Sequence, residues 1–162
     1  EYEPKKCYLL GRLYANGLNI QKDYRKALNY YEKACQSNNY HACENLAYLY
    51  FNDKYDIKED SEKALFLLSK ACKGGGIGTS CLTVGYMYKR IGNMEEAIRM
   101  FRKGCKKGKH SLNCLSAAFE FKNGEFVRQD FSKAKEYYGL ACDIGNSEGC
   151  KGFRLLNEKG FE

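Results

Sequence analysis

A helical pattern of apolar positions recurs four times along the chain. After Asp60, the residues Ala64, Leu68 and Ala71 stand at i, i+4 and i+7, which places them on one face of a helix. The equivalent triplets are Ala27, Tyr31 and Ala34; Ala97, Phe101 and Gly104; and Ala134, Tyr138 and Ala141. Because the pattern returns every 33 to 38 residues, it predicts a repeat architecture.

Another apolar helix is predicted before each triplet. We call it the first helix of the repeat, and the helix that carries the triplet is the second helix. The first helix begins near a cysteine, and a small residue follows four positions later: Gly11, Ala47, Gly85 and Ala118. Since glycine inside a helix costs about 1 kcal/mol relative to alanine, its recurrence indicates that another helix packs closely there. We therefore predict an all-α chain of helix pairs in a single solenoid, with repeats at about 1–38, 39–76, 77–109 and 110–146 and a final helix at 147–162.

The predicted helices carry start and stop signals. Gly17 and Gly124 are placed to end first helices in a left-handed conformation. The second helices are predicted to begin after side chains that cap a first turn, namely Asp23, Asp60, Asn93 and Asp130. Glu96 stands three positions after Asn93 and could complete a capping box.

Eight of the nine cysteines occur in pairs with seven or eight residues between them. Zinc sites favour two to four residues between ligands, so we interpret the pairs as disulfides, with zinc binding as the alternative. The predicted bridges are Cys35–Cys43, Cys72–Cys81, Cys105–Cys114 and Cys142–Cys150. Cys7 is expected to have its partner before residue 1, in a longer array, or else to be a reactive thiol. Disulfides predict an oxidising compartment.

The formal net charge is +7, and many cations cluster in one stretch: Arg99, Arg102, Lys103, Lys106, Lys107 and Lys109. This stretch is interpreted as a solvated helix face, with an anionic docking patch as the alternative. No recognised nucleic-acid module is present, so we expect no nucleic-acid partner. The sequence has no run of 18 apolar residues, so it predicts no transmembrane helix. The first residues show no signal-peptide pattern.

Over essentially the whole chain, four repeats in register resemble the Sel-1-like repeat, a relative of the tetratricopeptide repeat. The resemblance rests on Leu10-Gly11-x-x-Tyr14, Asp23-x-x-Lys26-Ala27 and Tyr30-Tyr31-x-x-Ala34-Cys35. The paired cysteines are similar to those of the Helicobacter cysteine-rich proteins, and the short third repeat is closer to a tetratricopeptide unit. The resemblance implies a right-handed α/α superhelix clamped by disulfides, in a secreted or periplasmic protein that binds proteins or peptides. It also implies, as an alternative, weak penicillin binding or β-lactamase activity.

In solenoids of this kind the first helices line the concave surface. The positions five and nine after each second cysteine then predict a ligand-binding groove, together with one asparagine two after Cys43: Arg12, Asn16, Asn45, Tyr48, Asn52, Tyr86, Arg90, Phe119 and Asn123. We expect the amides to hold an extended peptide backbone and Arg90 to bind a carboxylate. Alternatively, the asparagines stand there because they tolerate the left-handed geometry of helix ends.

Candidate catalytic residues are few. Ser132-x-x-Lys135 matches a signature of penicillin-recognising enzymes, but its companion motifs are absent. His41 and His110 stand alone in predicted inter-repeat turns, so we expect no metal site, no catalytic residue and no cofactor. The sequence thus predicts a non-enzymatic scaffold for a protein or peptide partner, and a structural spacer is a further alternative. It predicts no particular oligomeric state.

Overall fold

The computed structural model describes residues 3–17, 19–51 and 57–160. These residues form helices and turns without a strand, so the all-α prediction is confirmed. The helices are α1 (Pro4–Asn16), α2 (Tyr24–Gln36), α3 (Tyr40–Tyr50), α4 (Ser61–Lys70), α5 (Gly78–Arg90), α6 (Met94–Lys106), α7 (Ser111–Asn123), α8 (Phe131–Asp143) and α9 (Ser147–Glu158). A π-helical segment, Ala71–Gly75, continues directly from α4. Within the described ranges, no helix is both long and apolar enough to cross a membrane.

The chain packs as two compact units, Glu1–Gly75 and Gly76–Glu162. In the first unit α1 packs on α2, α2 on α3 and α3 on α4, and in the second unit each helix from α5 to α9 packs on the next. Each unit therefore consists of helices that pack on one another in chain order. The single solenoid with the repeat boundaries given above stays a prediction.

The predicted helix signals are confirmed with one exception. Each of the four capping side chains accepts the backbone N–H of the third residue of its helix, at 2.9–3.2 Å: Asp23, Asp60, Asn93 and Asp130. Gly17 and Gly124 end α1 and α7 with φ of 70° and 67°. The capping box at Glu96 is wrong, because the Asn93 backbone N–H donates to the Tyr88 carbonyl and the Glu96 carboxylate accepts from Arg99.

The small residues of the first helices lie against aromatic rings of the second helices. A Cβ added to Gly11 would stand 2.5 Å from the Tyr31 ring, and a Cβ on Gly85 would overlap the Phe101 ring. Both rings are buried. Since neither ring has room to withdraw from a tightly packed core, the close packing inferred from these glycines is confirmed.

The disulfide predictions are confirmed. Cys35–Cys43, Cys105–Cys114 and Cys142–Cys150 are bridged with Cα–Cα separations of 4.5–4.7 Å. Cys72 and Cys81 are disulfide-bonded as well, while Cys7 is free and buried. Each of the three measured bridges joins the end of one second helix to the beginning of the next first helix. It therefore fixes the angle at which one helix pair follows another.

Candidate functional site

A cavity of about 530 Å³ opens between α5 and α7 in the second unit and reaches α8 and α9. We call it the aromatic groove. Its lining is mainly apolar or aromatic, and Lys89, Ser116, Glu120 and Glu148 are its four other polar side chains. The full lining is Leu82, Tyr86, Lys89, Leu112, Leu115, Ser116, Phe119, Glu120, Tyr138 and Glu148. Ligand sites commonly combine such apolar walls with a few convergent polar groups.

Two residues of the predicted row meet in the aromatic groove. Tyr86 and Phe119 are 52% and 50% exposed, although each lies on a helix that also contributes buried residues to the core. The Tyr86 ring packs edge-on against Phe101, with 5.2 Å between the ring centroids. Its hydroxyl shares a hydrogen bond of 3.0 Å with Ser116. Tyr86 is thus held from two sides and still presents much of its surface to solvent.

An ion pair that the sequence did not predict lies beside these aromatics. The Lys89 ammonium is 2.5 Å from a Glu120 carboxylate oxygen, and the Glu120 side chain is only 4% exposed. Lys89 also lies over the Phe126 ring, 5.8 Å from its centroid. Because the pair neutralises itself, Glu148 is left as the remaining formal charge among the residues that line the groove.

The pKa of Tyr138, in the same groove, is raised by burial of the hydroxyl and then by the nearby Glu148 carboxylate. The phenol therefore stays neutral and can donate a hydrogen bond at every ordinary pH.

The first unit holds a separate cavity of about 410 Å³, which we call the polar pocket. Four residues of the predicted row line it: Arg12, Asn16, Asn45 and Tyr48. The rest of the lining was not predicted: Ala15, Lys22, Tyr24, Tyr31 and Leu49. The structure therefore brings these four predicted residues together. It adds a second cation, Lys22, from the connection before α2, and two tyrosines, Tyr24 and Tyr31, from α2 itself.

Two described residues of the predicted row lie outside both cavities. Arg90 and Asn123 are exposed at the last positions of α5 and α7, and neither lines the aromatic groove. Asn52 lies outside the described residues. Their part in binding stays a prediction.

The basic stretch lies on and just after α6, where Arg99, Arg102, Lys103, Lys106 and Lys107 line a shallow cavity of about 390 Å³. Several of these cations have partners within the fold. Arg99 pairs with Glu96 and Lys106 with Glu136, and Arg102 donates to the Tyr137 hydroxyl at 2.9 Å. These contacts favour a solvated structural face.

The candidate catalytic residues do not form a site. Ser132 is exposed in the first turn of α8, and the Lys135 ammonium lies 5.8 Å from the centroid of the Phe153 ring. His110 shares a 3.2 Å hydrogen bond with Asn113, and His41 lies beside the Tyr8 ring. No cluster suited to a metal ion occurs in the part of the chain that the structure describes. This arrangement gives the β-lactam alternative no support.

Comparison with known protein families gives a direct match. The Sel1 repeat model matches residues 7–39, 41–76 and 115–146, which is more than half of the chain. The chain belongs to the Sel1 repeat family. A tetratricopeptide repeat model matches residues 78–106, so the closer likeness of the third repeat to that unit is confirmed. Repeats of these families generally mediate protein interactions.

Curated relatives match parts of the chain. An uncharacterized protein of Haemophilus influenzae is 53% identical over 38 residues, which is 24% of this chain and 71% of that protein. Cytochrome c oxidase assembly factor 7 of Xenopus tropicalis is 36% identical over 85 residues, 51% of this chain. The chain matches 36% of the length of that assembly factor.

Solved structures share the fold. A Sel1 repeat protein from Oxalobacter formigenes has a TM-score of 0.78 at 23% identity, over 91% of this chain and 61% of its own. Cysteine rich protein B of Helicobacter pylori has a TM-score of 0.57 at 25% identity, over 80% of this chain and 94% of its own. The predicted resemblance to the cysteine-rich branch is therefore confirmed.

Proposed function

We propose that this Sel1 repeat chain is a non-enzymatic scaffold that holds a peptide segment of a partner protein, with one binding surface in each unit. The observation that carries the proposal is the half-exposure of Tyr86 and Phe119 on the same groove. A cluster of large apolar side chains that stay exposed to solvent in the folded protein commonly marks an interaction surface. Tyrosine is also enriched among the residues that dominate binding energy.

The lining of the aromatic groove defines the ligand that it fits. Leu82, Leu112 and Leu115 offer an apolar surface for one bulky apolar side chain of the peptide. The Tyr86 and Ser116 hydroxyls can hydrogen-bond the peptide main chain beside it. Since Glu148 is the charge left unneutralised in the lining, the fitting peptide carries a basic residue next to its apolar anchor.

The proposal extends to the whole predicted row. Arg90 and Asn123, both in the second unit, stand in it as contacts for the parts of the peptide beyond the aromatic groove, while Asn52 stays a predicted contact. Substituting Arg90 or Asn123 is expected to weaken binding less than substituting Phe119, because residues near the centre of an interface contribute most.

We further propose that the chain works in an oxidising compartment, secreted or periplasmic. Its paired cysteines are disulfide-bonded, and reducing compartments rarely keep such bridges. Alkylating the protein as cells of its source are lysed, followed by non-reducing mass spectrometry, should find eight cysteines protected. Free thiols at Cys105 and Cys114 in that sample would contradict the proposed compartment.

The binding proposal is tested by selecting peptides from a random library on the folded, oxidised chain. The dissociation constant of the best peptide is then measured for the natural chain and for Phe119→Ala and Phe66→Ala. Phe66 is the matched control, because it is an exposed phenylalanine on α4 that lines neither cavity. Phe119→Ala should weaken binding about tenfold or more, and Phe66→Ala should leave it unchanged. Failure to enrich any peptide, or equal binding by the two variants, would favour a structural spacer.

A further inference from the structure

The polar pocket of the first unit differs in chemistry from the aromatic groove. Two cations, Arg12 and Lys22, and two amides, Asn16 and Asn45, line it, and no acidic residue does. Tyrosine rings form much of the remaining wall, and Tyr48 is 42% exposed. The formal charge of the lining is therefore positive, and every charged or amide group in it can donate a hydrogen bond.

Contacts within the first unit hold these donors in place. The Arg12 guanidinium lies over the Tyr8 ring, 5.8 Å from its centroid, and the Lys22 side chain packs against Gly17. The floor is Tyr31, whose ring is buried against Gly11. Burial raises the pKa of Tyr31, and a hydrogen bond with the Asn45 side chain acts in the opposite direction. The pocket is thus largely preorganised before a ligand arrives.

The cations are not neutralised by their surroundings. Asp23 follows Lys22 in sequence, but its carboxylate caps α2 through the Lys26 N–H and pairs with the Lys26 ammonium at 3.4 Å. In the described ranges, neither Arg12 nor Lys22 forms an ion pair with a carboxylate within 4.0 Å. Lys89 in the aromatic groove differs from these two cations, because the Glu120 carboxylate neutralises it.

We infer that the polar pocket binds a carboxylate of the peptide ligand. Arg12 offers the planar pair of N–H groups that matches a carboxylate, Lys22 adds a second positive charge, and the amides of Asn16 and Asn45 donate from the side. This inference rests on the proposed peptide-binding function. It moves the carboxylate contact from Arg90, where the sequence suggested it, to the first unit.

The test uses small carboxylates as probes of the oxidised full chain. N-acetyl-glutamate N-methylamide offers a side-chain carboxylate, N-acetyl-alanine offers a terminal carboxylate, and the glutamine counterpart is the neutral control. Two-dimensional NMR follows the Arg12 Nε–H and the Asn45 side-chain amide during titration. We expect saturable shifts with at least one carboxylate and none with the glutamine compound. The tighter of the two carboxylates identifies its source in a peptide.

Matched variants locate the effect. Arg12→Gln should weaken carboxylate binding about tenfold or more, because a charge-assisted hydrogen bond is lost. Arg154→Gln removes an exposed arginine on α9 of the other unit, where it lines neither cavity, and should leave the titration unchanged. Non-saturable shifts, equal shifts with the glutamine compound, tighter binding of inorganic phosphate, or an equal effect of Arg154→Gln would overturn the inference. If only these titrations fail while Phe119-dependent peptide binding persists, the proposed function stands without this pocket.

Discussion

Replacing Lys89 by methionine should leave Glu120 as a buried carboxylate without its ammonium partner. The Glu120 side chain is 4% exposed and lies 2.5 Å from the Lys89 ammonium, so the carboxylate has little access to water in compensation. We therefore expect Lys89→Met to be strongly destabilising, although methionine preserves most of the length of the lysine side chain.

Breaking a buried ion pair by removing one partner costs about 3–5 kcal/mol. Lys89 is 32% exposed, and water at its end of the pair relieves part of that cost, so the lower end of the range applies. For a chain of this length, about 3 kcal/mol corresponds to a fall of about 6–12 °C in melting temperature.

The double variant Lys89→Met/Glu120→Leu should behave differently. The position of Glu120, six after the second cysteine, is leucine in other repeats: Leu13, Leu49 and Leu156. Leu49 and Leu156 are buried, so the fold accommodates leucine there. Because replacing both partners of a buried pair by apolar residues is often neutral or stabilising, the double variant should be at least as stable as the natural chain.

The assay is thermal and denaturant unfolding, with the disulfides intact. It compares the natural chain with Lys89→Met, Glu120→Leu and the double variant. Lys6→Met is the control, since the Lys6 side chain is 75% exposed in its pair with Glu3 and should contribute less than about 1 kcal/mol. A Lys89→Met variant as stable as Lys6→Met would refute the reasoning. So would a double variant that is no more stable than Lys89→Met.

Three further predictions concern the fold. Gly85→Ala should destabilise the chain by about 1–3 kcal/mol because the new methyl group overlaps the buried Phe101 ring. Gly139→Ala, whose methyl group would stand 3.3 Å from the half-exposed Phe153 ring, should be neutral or stabilising; equal melting temperatures would contradict this contrast. Replacing Cys105 and Cys114 together by alanine should cost about 2.5 kcal/mol on the chain-entropy model, and an unchanged denaturation midpoint would reject the clamp. The Lys133 backbone N–H lowers the pKa of Asp130, so its ionised form stabilises the fold above the unfolded pKa of about 3.9. That stabilisation is lost as the pH falls through the lower folded pKa. The difference in melting temperature between the natural chain and Asp130→Ala should therefore shrink below about pH 4, and a constant difference would contradict this role.

The fold could be predicted because its determinants are local and recur. A capping residue such as Asp23 acts within one helical turn, and bridges such as Cys35–Cys43 join positions only eight apart. Gly11 indicates that two helices approach closely, and the repeat places the Tyr31 ring at that point. Such features depend on a few neighbouring residues, so a repeated spacing reveals them.

The composition of the site was less predictable because it depends on contacts between helices. The repeat register put Tyr86 and Phe119 in one row, and both line the aromatic groove. It put Arg90 in the same row, although that residue lies at the end of α5 and does not line the groove. Lys22 belongs to the connection between α1 and α2 and has no register position among the first helices, so the row omitted it. The one available signal for the buried ion pair was an acidic residue, Glu120, at a position where other repeats have leucine or methionine.

The repeat separates the residues that stabilise the chain from those that would recognise a ligand. Alanines such as Ala27 and Ala97 are fully buried at the triplet positions, and a larger side chain there would disturb two packed helices. The position five after each second cysteine is instead exposed and holds arginine, tyrosine, tyrosine and phenylalanine in successive repeats. Substitution there changes the surface offered to a partner with little effect on packing. Because Arg12 and Phe119 occupy this same position in different units, a cationic pocket and an aromatic groove can be built on one backbone plan. In the proposed function, the preference for a peptide is set repeat by repeat, and exchanging the residues at this one position should transfer ligand preference between units without loss of stability.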